Sequence, residues 1–334
     1  MPSQMEIARL ANVSQSVVSR ALTGRAKDFG ISDETVSRIR RIAEAMNYQP
    51  NQAAHILRGR QTKLLGVIVR WFKDPFLAIV LEELNRRALQ AGYTLLVVGF
   101  ERGEFNAGEI RVLQTYRPDA FIVVGSMDFR RWDEAFLRSG KLIFQIGMPV
   151  EDRRIISCGI DEAEAARLLI GHLEQLGHRS FGIVGDSSAP SRMRAGHLKR
   201  ILQERKLQVS LPCVYLSEQD FTAAGVDAGN YFLHDSVRAS WPTAVIATGD
   251  MVALSFIRKL GEAGITVPRD LSVASYSDIE YAALARPSLT TIRIPVSSLA
   301  AAGMDIVTGV QPRVSVLLPP GLKVRESTAA PSGR

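Results

Sequence analysis

Apolar residues recur at helical spacing in the first fifth of the chain and in unbroken runs through most of the remainder. Ile7, Ala8 and Ala11, then Val13, Val18 and Ala21, mark two short helices joined by a tight Asn-Val-Ser. Ser3 and Glu6 fit a capping box at the start of the first, and Ser14 is a fitting N-cap for the second. Val36, Ile39, Ile42, Ala43 and Met46 repeat the helical period over a third segment, opened by Ser32 and stopped at Asn47-Tyr48-Gln49-Pro50. Residues 51–58 allow one more short helix, ended by Gly59. From Leu64 the pattern changes. Apolar runs at 64–69, 94–100, 120–125, 141–147, 180–185, 243–248 and 271–276 read as buried strands, and helical stretches lie between most of them. Such alternation predicts parallel sheets with helices on both faces. A body of this length exceeds one sheet, and a break near Cys158–Asp161 divides it into two α/β subdomains, with a ligand cleft expected at the carboxyl ends of the strands.

Two helices joined by a turn of three or four residues have the sequence form of a helix-turn-helix. The apolar set that locks them together leaves Gln15, Ser16 and Arg20 on the outer face of the second helix. Gln and Arg can each bond two atoms of a base edge, Gln on adenine and Arg on guanine. Charge supports this reading. The net charge of the 334-residue chain is +7, and residues 1–63 hold ten Lys/Arg against five Asp/Glu, so +5 of it lies in that first segment. A basic end on a nearly neutral body suits a polyanion-binding head; the bland alternative is a solvated charged surface. The two cysteines, Cys158 and Cys213, have no paired spacing, and no apolar run reaches membrane-spanning length. A cytoplasmic protein without membrane contact is the expectation.

The order of parts resembles the lactose/galactose repressor family of bacterial transcriptional regulators over essentially the whole chain. I-A-R-L-A-N-V-S-Q-S-V-V-S-R-A resembles that family's D-V-A-x-x-A-G-V-S-x-x-T-V-S-R, and N-Y-Q-P-N-Q-A-A-H-I-L-R-G resembles its hinge. H-L-E-Q-L-G-H-R-S-F-G-I-V-G, V-P-R-D-L-S-V-A-S-Y-S-D and L-P-P-G-L-K-V-R-E-S-T-A match further signatures in the family's order. The resemblance implies an N-terminal all-α helix-turn-helix domain over 1–60, with a hinge helix at about 51–58. It also implies an α/β periplasmic-binding-protein-like domain of two parallel-sheet subdomains over 63–326. The first subdomain is expected to take 63–160 plus 293–326, the second 161–290, and 327–334 to form a tail. A homodimer on a palindromic operator in double-stranded DNA is the implied assembly. Carried over by matching position, Gln15, Ser16 and Arg20 enter the major groove, Ser14 and Ser19 touch phosphates, and Ala54 and Leu57 enter the minor groove. Asn12 stands where the family usually has Gly, and Val17 where it usually has Thr. The loop Thr23–Gly30 is longer than usual, and its Arg25 and Lys27 either add phosphate contacts or are simply solvated.

In the cleft the resemblance implies Arg194, Asp250 and Phe221 as effector-binding residues, the aromatic ring lying against a sugar face. Phe76 offers a second ring, Arg70, Trp71 and Lys73 follow the first strand, and Ser126 follows the third. Core packing for Phe76 and Phe221, and a helix cap for Asp250, are the alternatives. A sugar is the implied effector, but Gly147 and Gly249 stand where many members have polar residues, and Arg70, Lys73 and Arg192 lie at or near candidate strand ends, so an acidic sugar derivative fits somewhat better than a neutral one. No H-E-x-x-H, phosphate loop or G-x-S-x-G elbow is present. The expectation is a transcriptional repressor gated by a carbohydrate-related small molecule, without catalysis, cofactor or metal. The competing class is a solute-binding protein or sugar-processing enzyme with a similar body.

Overall fold

The structure, a computed structural model, describes residues 2–48, 61–99, 107–125, 134–148, 150 and 152–332. The chain divides into two compact units, Met1–Thr62 and Lys63–Arg334.

The first unit contains α1 (Gln4–Ala11), α2 (Gln15–Leu22) and α3 (Asp33–Ala45), with a single 3-10 turn at Lys27–Phe29. Helices of eight residues are marginal in water, so packing must hold them. Ile7, Ala8, Ala11, Val18, Ala21, Ile39 and Ala43 form their common core, with Val13 and Val17 packed against it. Both halves of the Ser3–Glu6 capping box form. Asn12 ends α1 in the left-handed conformation, φ 51° and ψ 49°. Asn adopts that conformation more readily than most residues, which is why it can replace the family's glycine there. The expected hinge at 51–58, with Ala54 and Leu57, lies outside the described residues.

The second unit holds two six-stranded sheets. The first contains β1 (Leu64–Val69), β2 (Thr94–Gly99), β3 (Ala120–Val124), β4 (Leu142–Ile146), β5 (Ile155–Ile160) and β11 (Val316–Leu318), in the order β11-β5-β4-β3-β1-β2, all parallel. The second contains β6 (Ser180–Asp186), β7 (Gln208–Ser217), β8 (Ala244–Ala247), β9 (Ser272–Ser277), β10 (Thr290–Arg293) and β12 (Gly321–Lys323), in the order β12-β10-β9-β8-β6-β7. Here β12 runs antiparallel to β10, a departure from the all-parallel expectation. The helices are α4 (Pro75–Gln90), α5 (Ala107–Thr115), α6 (Glu134–Leu137), α7 (Glu162–Gln175), α8 (Ala189–Glu204), α9 (Phe221–Phe232), α10 (Asp235–Arg238), α11 (Asp250–Glu262), α12 (Glu280–Leu284) and α13 (Val296–Thr308).

The chain passes between the sheets three times. It leaves β5 for α7 at Asp161, whose carboxylate caps α7 by accepting from the Glu164 N–H. It returns from β10 to α13, which packs on β4, β5 and α4. It crosses last through Pro319-Pro320, from β11 to β12. The anticipated break near 158–161 therefore falls on the end of a buried strand. The assignment of all of 293–326 to the first subdomain needs correction: only α13 and β11 join it, while β12 extends the second sheet.

The segment expected as a tail at 327–334 is docked on the second sheet at its start. Ser327 is fully buried. Its hydroxyl donates to the Val273 carbonyl (2.6 Å) and accepts from the Thr290 N–H (2.8 Å). His172 meets Thr328 at 2.9 Å, and His178 lies between Thr243 and the Ala329 carbonyl, 2.9 Å from each. These histidines anchor the segment to the second sheet. Ser327→Ala leaves a buried N–H unpaired and is expected to lower the unfolding free energy by about 1–3 kcal/mol, measured by urea unfolding.

Candidate functional site: a recognition helix and an inter-sheet cleft

On the first unit, α2 turns Ser14, Gln15 and Ser16 to solvent, while Val18 and Ala21 face inward. Ser14 caps the helix, its hydroxyl accepting from the Val17 N–H and lying 2.8 Å from that of Ser16. Val17, in place of a threonine, packs on the core. A shallow groove is lined by Gln4, Gln15, Ser16, Ser19, Arg20, Thr23, Arg25 and Phe29. It brings together four of the expected groove- and phosphate-contacting residues with the loop's Arg25. Lys27 is exposed at the start of the 3-10 turn and does not line the groove. Donors and guanidiniums along one helix and the loop that follows it are what base edges and phosphates accept.

On the second unit, the strand ends of both sheets converge on a cavity of about 130 Å³. Arg70, Gly125, Gly147 and Gly159 come from the first sheet's side, and Asp186, Thr248, Asp250 and Ser277 from the second. Arg70, Phe76, Arg194, Phe221 and Asp250, all expected there, line it. Trp71 stands beside it. Its ring lies 4.8 Å from that of Phe221, so a residue following β1 touches one that opens α9. Phe221 holds φ 38°, a conformation rare for a bulky side chain. Ser126 lies outside the described residues; Lys73 and Arg192 are exposed and do not line the cavity.

The two charged residues expected to grip the effector are already engaged. Arg194 forms a two-pronged pair with Glu162, Nε at 3.0 Å and Nη2 at 2.9 Å, and donates to the Thr248 carbonyl at 2.9 Å. Its guanidinium also lies 4.7 Å from the Tyr276 ring centre. Burial, the largest single influence, opposes its charge, but Glu162 together with Tyr276 and Asp250 holds the pKa above the usual arginine value. Asp250 is only 2% exposed. Its carboxylate accepts from the Ser275 hydroxyl, the Thr291 hydroxyl (2.7 Å) and the Ile279 N–H (2.9 Å). Burial pushes its carboxyl up to about 6, against the pull of those three donors. Asp74 caps α4 through the Phe76 N–H (3.0 Å), and burial raises it as well.

Sequence reasoning missed Asp74, Glu162 and Asp186. Each stands at a strand end or helix start, the positions where a cleft residue belongs, but an acidic residue there is equally the signature of a cap. With them the cavity carries four carboxylates, Asp74, Glu162, Asp186 and Asp250, against two guanidiniums, Arg70 and Arg194. The floor is glycine-lined: a Cβ on Gly159 would collide with the Gly147 carbonyl oxygen. Among the described residues no group of side chains is arranged to hold a metal ion, and no helix is long and apolar enough to cross a membrane.

Two family models match the chain. Residues 5–51 match the bacterial regulatory proteins of the lacI family, and residues 170–328 match a periplasmic binding protein-like domain. The ribose operon repressor of Haemophilus influenzae is 28% identical over 308 residues, covering 90% of this chain and 89% of that protein. Catabolite control protein A of Staphylococcus aureus is 26% identical over 309 residues, covering 91% and 90%. Among solved structures, the Lac repressor dimer bound to operator and the anti-inducer ONPF superposes with a TM-score of 0.84 at 24% identity, covering 98% of this chain and 99% of that one. The transcriptional regulator CelR in complex with cellobiose gives 0.68 at 23%, covering 98% and 100%. At those identities the superpositions carry the fold. The helix-turn-helix match, the binding-protein-like match and relatives aligned along nine-tenths of the chain show a lacI-family helix-turn-helix head followed by a periplasmic binding protein-like domain.

Proposed function

We propose that the protein is a sequence-specific DNA-binding repressor of the cytoplasm that acts as a homodimer on a palindromic operator, without catalysis of its own. The observation that carries this reading is the outward face of α2 in a unit whose matching family is one of regulators. In this reading Gln15, Ser16 and Arg20 read base edges, while Ser14, Ser19, Arg25 and Lys27 hold phosphates. Ala54 and Leu57 are assigned to the minor groove by sequence position. Exposed apolar residues on the second unit, Leu89, Val97, Val112, Tyr281 and Leu284, supply surface for a partner subunit. Competing enzyme and transport readings have no counterpart to α2.

Effector recognition belongs to the inter-sheet cleft. The size of the cavity suits one small ring rather than an oligomer. Its excess of carboxylates over guanidiniums favours a neutral polyhydroxylated ligand over the acidic sugar derivative expected from sequence, because Arg194's charge is already met by Glu162. Phe76 and Phe221 supply the apolar platforms. Binding gates DNA affinity through the angle between the two sheets, provided the effector prefers one angle.

The test begins with selection of a duplex from a randomised pool by the full-length protein. Arg20→Ala is expected to cost about 1–3 kcal/mol on that duplex and to relax preference at one base pair per half-site, in a competition assay. Unchanged preference at every position would reject the assignment of α2 as the recognition helix.

A further inference from the structure

The loop that is longer than the family's usual one does more than connect α2 to α3. Its residue Phe29 keeps 45% of its surface exposed, an uncommon place for a phenyl ring on a polar loop. The Arg20 guanidinium carbon lies 3.8 Å from the centre of that ring, and the Arg25 guanidinium carbon lies 5.4 Å from it. The loop is firmly set. The Arg25 N–H donates to the Arg20 carbonyl (3.0 Å), Thr23 Oγ1 donates to the Ser19 carbonyl (2.7 Å), and the Ile31 N–H donates to the Ala26 carbonyl (3.0 Å). Ala26 is buried beneath, and Gly30 turns the chain at φ 64°. Asp28 lies 3.3 Å from Arg25 and offsets the charge of the second guanidinium. Among the described residues no hydrogen bond or ion pair holds the Arg20 guanidinium, so the ring is what fixes it.

We propose that Phe29 is a positioning residue for sequence readout: it holds the Arg20 guanidinium over its face, so that the N–H fork is aimed at a base before DNA arrives. A guanidinium stacked on a ring keeps its edge donors available, and those donors are what grip the two acceptors of guanine. An arginine held in place also loses less freedom on binding than one that must be ordered by the DNA. The inference rests on the reading of Arg20 as a base-contacting residue.

The test uses the full-length protein and the duplex it selects from a randomised pool, together with single-base variants of that duplex. Phe29→Ala is expected to weaken binding to the selected duplex by about two- to fivefold. The loss should vanish on the duplex altered at the base pair where Arg20→Ala loses its preference. Phe29→Trp should retain preference, whereas Phe29→Leu, which keeps apolar bulk without a ring face, should behave as Phe29→Ala. In the Arg20→Ala background Phe29→Ala should add nothing. An equal loss on every duplex, additivity with Arg20→Ala, or full preference in Phe29→Leu would overturn the proposal. Its failure is distinguishable from failure of the underlying reading. If Arg20→Ala discriminates normally, the base-contact assignment falls and Phe29's role with it; if Arg20→Ala relaxes preference while Phe29→Ala is silent, only the role of Phe29 falls. Should Phe29→Ala disturb folding of the head, the comparison of tryptophan with leucine decides the matter.

Discussion

Arg194→Ala is expected to lower the unfolding free energy by about 3–5 kcal/mol at neutral pH, because it strands the Glu162 carboxylate in a buried site. The pair is largely enclosed, with side-chain exposures of 12% and 9%. Glu162 opens α7 just after the first crossover, and Arg194 lies on α8, so the pair ties the crossing chain to the second sheet's helices. If Arg194 served only to bind effector, Arg194→Ala would keep DNA affinity and abolish only the effector response. The structure alters that expectation, since a destabilised cleft lobe would confound the readout. The paired replacement Glu162→Leu with Arg194→Met removes both charges and should cost much less than the single alanine. Urea unfolding of the three proteins checks this. If the single and double variants are equally destabilised, the pair does not carry the energy assigned to it.

The second large effect is on pH dependence and belongs to Asp250. Its folded pKa, about 6, stands above the ordinary carboxyl value of 3.8. Between those values the folded protein keeps a proton that the unfolded chain has released, so this group favours folding most below pH 3.8. That contribution is lost as pH rises through about 6, a fall of about 3 kcal/mol from this residue. Asp278 nearby adds to the upward push. Asp250→Asn should abolish this part of the slope. It should also be less stable than the parent overall, since an amide NH₂ facing the Ile279 N–H, or one facing the two hydroxyls, loses an acceptor. The measurement is the difference between the two proteins in urea midpoint from pH 4.5 to 7.5, which cancels every other carboxylate. Parallel profiles would mean that Asp250 ionises normally despite its burial.

Much of this architecture was legible because it is written locally. The core of α1 and α2 follows from helical spacing, and seven strands are unbroken apolar runs. The strands that escaped notice carry weaker marks. β7 is an edge strand with exposed Leu211 next to Pro212, and β10, β11 and β12 have only three or four residues each. β5, though fully buried, reads in sequence as a boundary, and the chain does change sheets immediately after it. In the cleft the sequence identified residues but not their partners. That Arg194 belongs to Glu162, and Asp250 to Ser275, Thr291 and Ile279, are facts of tertiary packing between distant segments, and the proposal of a neutral effector rests on them. Phe29 read as part of a polar loop because nothing local says which side chain will lie across its ring.

The threefold passage between the sheets also sets a schedule for synthesis. When β5 leaves the ribosome, the first sheet still lacks its outer strand β11 and the helix α13 that covers β4 and β5. More than 150 residues must follow before both exist, on the order of ten seconds or more at ordinary elongation rates. Throughout that interval a parallel strand edge and an apolar sheet face have no cover of their own, and the second sheet likewise awaits β12 and the segment around Ser327. Neither lobe is a contiguous piece of chain, so neither can be completed early. Nascent chains truncated before residue 296 should therefore be the species most dependent on chaperones, and the segment around Ser327, made later still, locks the second sheet.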